Sequence, residues 1–210
     1  MKLYMVPLAP NPTKVMLYIA EREHRGTGLG IEQIVVNTVK GRHKEPEHLA
    51  RNPFGTLPVL ELEDEDFLIE SLTIIEYLEA LFPDGALLPK DPRARAQALE
   101  IERIVELRAA THMGRYAHAT KSPLGRPADP VVATEAEANL QPAFDYLEDT
   151  LADERPFLTG NAPSIADFSL QAACQFLRFI ESDIFGDRPG LRAWDTRFRA
   201  TPAALAVLKW

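Results

Sequence analysis

Apolar and polar positions along the chain change their period once, near residue 90. Before that point, apolar stretches of strand length alternate with helical ones. Residues 2–6 read as a first strand, stopped by Pro7. Pro12 suits the first turn of a helix running to about Glu23, with Val15, Leu17 or Tyr18, and Ile19 on its apolar face. Gly26–Gly30 is a turn and Ile31–Val36 a second strand, followed by a short helix around Pro46–Ala50. Val59–Leu62 and Phe67–Ile69 bracket the acidic turn Glu63–Asp66, the pattern of a hairpin. Leu72–Phe82 is a helix with Pro83-Asp-Gly85 as its stop. Leu87-Leu-Pro-Lys-Asp-Pro92 then reads as a linker, and beyond it only the helical period remains. It runs over Arg93–Ala119, Pro130–Ala152, Ser164–Glu181 and Pro189–Phe198. Ser164 and Asp167 have the spacing of a capping box, with Asp in place of the usual Glu. That box is a folding device of roughly 1 kcal/mol and says nothing about chemistry.

One segment departs from this folding grammar. Asn52-Pro-Phe-Gly-Thr-Leu-Pro-Val-Leu60 joins a tight turn to a proline at a strand entrance. Pro58 removes a backbone donor, so Leu57 can keep its N–H and C=O free for a ligand. A cis Leu57-Pro58 bond would turn those groups outward. Glu70-Ser71 then opens a helix whose first N–H groups and dipole attract a carboxylate. A small acidic peptide that adds as a strand and ends on that helix start fits this edge.

Composition narrows the classes. Hydrophobic residues at 46% and charged residues at 26% are ordinary globular values. The net charge of −8, from 31 acids against 23 bases, disfavours nucleic acid and anionic membrane surfaces as partners. No apolar run approaches the ~18 residues of a membrane span, and the N-terminus reads as a strand rather than a secretory signal. The single cysteine, Cys174, excludes an internal disulfide and fits a reducing cytoplasm. It falls on an apolar helical face and reads as packing. The five histidines show no metal-ligand spacing, and there is no nucleotide-binding glycine motif.

The stretch Gly41–Leu60, followed by Glu70–Leu78, resembles the glutathione-binding half of a cytosolic glutathione S-transferase. Asn161–Asp167 and Pro189–Trp194 resemble that family's C-terminal helical domain, so the resemblance spans nearly the whole chain in order. It implies an α/β thioredoxin-like N-terminal domain over residues 1–83 and an all-α domain over 92–210. It also implies a homodimer, cytoplasmic location, and glutathione as co-substrate rather than a permanently bound cofactor. Glu70 would pair with the γ-glutamyl ammonium, and Ser71 with the helix-start N–H groups would take its carboxylate. Leu57, beside Pro58, would pair with the cysteinyl backbone. The glycyl carboxylate needs a cation where His43-Lys44 stands, and Lys44 is the one charged at neutral pH. Arg42 reads as surface. Thr56 stands where many relatives carry a Gln, which leaves the backbone contacts intact.

The thiolate is the nucleophile, and a free thiol near pKa ~8.5 is mostly protonated at pH 7. Relatives usually place a Tyr, Ser or Cys after the first strand; here Ala9 stands in that position. The remaining donors are the Asn11 amide, the Thr13 hydroxyl and first-turn N–H groups, with Asn11 equally placed to cap a helix beginning at Pro12. The Ala-Pro-Asn run resembles the nitrogen-regulator and disulfide-reductase branch, in which an Asn addresses the sulfur. A second substrate would meet Leu8, His112, Met113, Arg115 and Tyr116. Three readings stay open: transfer to an electrophile, glutathione-dependent disulfide reduction, and a non-catalytic or regulatory binding protein.

Overall fold

A computed structural model of the chain describes residues 1–64, 66–183 and 185–209. Glu65 of the expected acidic turn, and Ile184 and Trp210 of the expected second domain, lie outside the described residues. The first half builds β1 (Lys2–Met5), α1 (Pro10–His24), β2 (Glu32–Val35), α2 (Pro46–Arg51), β3 (Val59–Glu61), β4 (Phe67–Leu68) and α3 (Ser71–Leu81). The sheet order is β2-β1-β3-β4, with β1 parallel to β2 and antiparallel to β3, and β3 antiparallel to β4. Parallel β1 and β2 need a crossover, which α1 supplies, whereas β3 and β4 need only the tight acidic turn.

The second half is helical: α4 (Pro92–Ile104), α5 (Thr111–Thr120), α6 (Pro130–Thr150), α7 (Ile165–Phe179), α8 (Pro189–Arg199) and α9 (Pro202–Val207). The single helix expected over Arg93–Ala119 is a continuous rod interrupted by a π-helical segment, Val105–Ala110. Thr111 explains how that segment closes. Its N–H and its hydroxyl both donate to the Glu106 carbonyl five residues back, the latter at 2.9 Å. Neither Gly nor Pro marks this stretch, so the sequence pattern passes over it. The helix α9 was not expected either. Its signal was present in Thr201, which accepts from the Ala204 N–H, followed by Pro202 at the first helical position.

The capping box forms as read. Asp167 accepts from the Ser164 N–H at 2.9 Å and hydroxyl at 2.6 Å, and also from the Leu158 N–H and the Trp194 indole. It therefore ties α7 to α8 and to the loop before it, beyond its capping role. The two halves share one apolar core, because α1 packs on α3 and, on its other side, on α7 and α9. The stretch between α3 and α4 is pinned by Glu79, which accepts from the Leu87 and Leu88 N–H groups, the Tyr18 hydroxyl and the Arg22 guanidinium.

Candidate active site

Register brings three chain ends together. Tyr4 pairs with Val59 and Leu60 with Leu68, so the exit of β1, the entrance of β3 and the exit of β4 lie side by side. The β1–α1 connection, Leu57-Pro58 and Glu70-Ser71 thus meet at one end of the sheet. The Leu57-Pro58 bond is cis, as expected. Neither the N–H nor the carbonyl of Leu57 has a hydrogen-bond partner among the described residues. Glu70 is exposed at the N-cap of α3 and Ser71 is its first residue; Glu70 makes no side-chain cap.

Lys44 reaches this edge through a short 3-10 turn, Arg42–Lys44. Its ammonium donates to the Phe54 carbonyl at 3.2 Å, and its side chain stays exposed. Gly55 permits the approach. It has φ +60, and a Cβ there would sit 2.8 Å from both the His43 carbonyl oxygen and the Lys44 Nζ. Burial, followed by the charges of Lys44 and His48, pushes His43 below the ordinary histidine value. Arg42 of the same turn pairs with Glu45 at 2.7 Å, which leaves the Lys44 ammonium as the cation beside Gly55.

The start of α1 differs from expectation. The helix begins at Pro10, two residues early, and its N-cap is Ala9, which has no side-chain cap. Asn11 is therefore inside the first turn and does not cap it. Pro10 and Pro12 carry no N–H, and the Thr13 N–H bonds the Ala9 carbonyl at 3.0 Å. That leaves the Asn11 N–H as the free backbone donor of the turn, beside its own exposed and unbonded amide. Leu8 precedes it at φ 79, partly exposed.

Other expected residues are withdrawn by the fold. Thr13 is 1% exposed, and its hydroxyl accepts from Gln175 of α7 at 3.2 Å, so it belongs to the packing between α1 and α7. Met113 is fully buried in the core. His112 lines a cavity of about 410 Å³ with Ile104, Arg108, Asn139 and Tyr146, and Arg115 pairs with Glu135 at 3.4 Å. Positions 112 and 115 share a helical face, and that face meets α6. Tyr116 is partly buried against the core. Met113 therefore belongs to the core, while His112 and Arg115 face α6.

Beneath α1 lies a buried ionic group that the sequence pattern did not disclose. Lys14 donates to Glu106 at 2.6 Å and to Glu102 at 3.3 Å, and Ser169 of α7 donates to Glu102 at 2.9 Å. The Lys14 side chain is 3% exposed and that of Glu102 is 0%. Burial pushes the Glu102 carboxyl above the usual carboxylate range against the pull of Lys14, and neighbouring Glu106 adds to the rise. Burial opposes ionisation of Glu106 too, but the Lys14 ammonium outweighs it and holds that carboxyl low.

Comparison with known proteins places this geometry. A family model described as "Glutathione S-transferase, N-terminal domain" matches residues 3–89, and one described as "Glutathione S-transferase, C-terminal domain" matches residues 129–194. The chain is 32% identical to glutathione S-transferase 3 of Zea mays over 97% of its length and 90% of that protein's. The chain belongs to the glutathione S-transferase family. It is also 29% identical to glutathione S-transferase 2 of Saccharomyces cerevisiae, over 100% of this chain and 90% of that protein. A solved glutathione S-transferase domain-containing protein from Marinobacter aquaeolei superposes with a TM-score of 0.85 at 30% identity, covering 97% of this chain and 100% of its own. The architecture is thus the glutathione transferase fold, a thioredoxin-like sheet followed by a helical part. The family uses glutathione as a co-substrate. Among the described residues no helix is long and apolar enough to cross a membrane.

Sequence reasoning missed two buried polar side chains that brace the turn before Leu57. His48 and Asn52 are four apart, which puts both on one side of α2, and both reach the Thr56 carbonyl at 3.0 Å. Asn52 also donates to the Thr56 hydroxyl at 2.9 Å. Their spacing was a usable signal, lost because α2 is too short to show a period.

Proposed function

We propose that this chain is a glutathione transferase that holds the glutathione thiolate at the first turn of α1. One observation carries the reading: the unpaired Leu57 backbone, the Glu70-Ser71 helix start and the free Asn11 donors converge at one end of the sheet. In this reading the cysteinyl backbone pairs with Leu57 and the glycyl carboxylate meets Lys44. The γ-glutamyl ammonium meets Glu70, and its carboxylate meets Ser71 and the α3 N–H groups. The sulfur loses its proton to solvent and attacks an electrophilic carbon, forming a C–S bond as the leaving group departs with its electron pair. The Asn11 amide and N–H, reinforced by the helix dipole, stabilise the thiolate.

A second reading, glutathione-dependent disulfide reduction, is favoured by Asn11 standing where a hydroxyl is usual. Assaying an aryl halide and a glutathione mixed disulfide side by side separates the two. Turnover of the halide supports transfer, turnover of the disulfide alone supports reduction, and neither overturns both.

Glu70→Ala is expected to weaken glutathione binding by about 1 kcal/mol, roughly fivefold, because Glu70 is exposed and solvent screens its pairing. Calorimetry that finds an unchanged Kd removes Glu70 from the site. α3 itself should be unaffected, since Glu70 makes no side-chain cap.

We also propose a two-fold homodimer. Supporting it are the exposed apolar side chains of Phe54 (68%) and Leu107 (55%), and an acidic β3–β4 turn that could meet the Arg-bearing face of α4. Light scattering should report twice the chain mass of 23.5 kDa, and a monomer mass would end the proposal.

A further inference from the structure

We propose that His48 and Asn52 are positioning residues that fix and polarise the Thr56–Leu57 peptide, making the Leu57 N–H a pre-aimed donor for a peptide ligand. The identity of that ligand rests on the glutathione reading above; the polarisation does not.

His48 is 2% exposed on α2 and Asn52 is 0% exposed at its C-cap. Such buried polar side chains need a partner, and both spend a donor on the same oxygen. The Thr56 carbonyl accepts from His48 Nε2 at 3.0 Å and from Asn52 Nδ2 at 3.0 Å. A carbonyl has two lone pairs, so both are occupied and the peptide plane is held from two directions. Because a carbonyl can only accept, the shared proton of the His48 contact sits on Nε2, which fixes the ring's tautomer. Its Nδ1 is buried without a partner. Asn52 is itself braced, with its side-chain oxygen accepting from the Phe54 N–H at 3.0 Å and its carbonyl from the Gly55 N–H at 2.9 Å.

The consequence follows from covalent connectivity. The Thr56 carbonyl and the Leu57 N–H belong to one peptide unit. Two donors on the oxygen draw electron density out of the amide and make its N–H a stronger donor, the cooperative effect of hydrogen-bond chains. That N–H is unpaired within the described residues, and the next residue, Pro58, offers none. The amide whose carbonyl accepts from two buried side chains is therefore the one left open to a ligand. Pinning a turn would need only one of the two donors.

The test uses the full chain, 15N-labelled, with His48→Leu and His48→Gln variants. Gln places an amide nitrogen near the position of Nε2 and keeps the donor; Leu removes it. In ligand-free protein the Leu57 amide proton should move upfield in His48→Leu and stay near its parent position in His48→Gln. Glutathione affinity should fall about tenfold in His48→Leu with kcat unchanged, the pattern of uniform binding, and recover in His48→Gln. An unmoved Leu57 resonance in a folded His48→Leu overturns the proposal, as does a moved resonance with unaltered affinity. If His48→Leu does not fold, His48→Gln decides: loss of affinity in this donor-keeping variant overturns the proposal, and retention supports it. If the parent chain binds no glutathione at all, the ligand reading fails while the Leu57 shift still judges the polarisation.

Discussion

Lys14→Met is expected to lower the unfolding free energy by about 3–5 kcal/mol near pH 8, the usual consequence of deleting one partner from a buried ion pair. Among the described residues the ammonium is the one cation within 3.5 Å of Glu102 and Glu106, and its side chain is 3% exposed. Arg103 also approaches Glu106, but at 3.7 Å and from a half-exposed position. Methionine keeps the apolar stem and removes the charge, so the loss is electrostatic rather than a cavity. The effect should depend on pH. The folded-state pKa of Glu102 lies above its unfolded value, so its contribution is complete below the ordinary carboxylate range and is lost as pH rises through the raised value. The parent should therefore weaken as pH rises above the ordinary carboxylate range, and Lys14→Met more steeply, since only a shared proton can then neutralise the two carboxyls. Glu102→Gln, which carries no titrating proton, should flatten that decline. Urea unfolding between pH 5 and 9 measures all three, and a Lys14→Met as stable as the parent throughout would remove the group from the α1 interface.

Asn11→Ala is expected to reduce turnover by roughly 10–100-fold with little change in glutathione affinity, the signature of an interaction made mainly in the transition state. The first turn of α1 concentrates this expectation on one residue. Two prolines and one satisfied N–H leave Asn11 with both free donors, backbone and side chain. Alanine deletes only the amide. Asn11→Pro deletes the N–H as well and is tolerated in a first turn, so it should go further. Cys174 is no rival nucleophile: it is 2% exposed, and burial pushes its thiol up to about 12. Steady-state kinetics with calorimetric Kd values decide the matter. A fully active Asn11→Ala with an inactive Asn11→Pro would assign the thiolate to the backbone N–H alone.

What the sequence determined by itself was local. A period of two or of 3.6, a proline before a strand, and an acid three residues after a serine each act through neighbours in the chain. β1, the β3–β4 hairpin, α7 with its Ser164–Asp167 box, and the Leu57-Pro58 edge were therefore legible. So was the union of that edge with Glu70-Ser71, since a short hairpin fixes how β3 and β4 align. The tertiary structure alone decided which polar residues face inward. Nothing in the local pattern marks Lys14, Arg22, Glu79 and Glu102 for burial, yet all are buried and paired with partners 57 to 92 residues away. Thr13 and Met113 turned from candidate ligand contacts into core for the same reason: their helices present those faces to α7 and to the shared interior. The π-helical segment has no local breaker, and it takes its shape from Thr111 closing on Glu106 within a packed rod. A buried charge is tolerated only where its counter-charge and hydrogen bonds arrive from elsewhere in the fold, and no local pattern along the chain encodes that arrival.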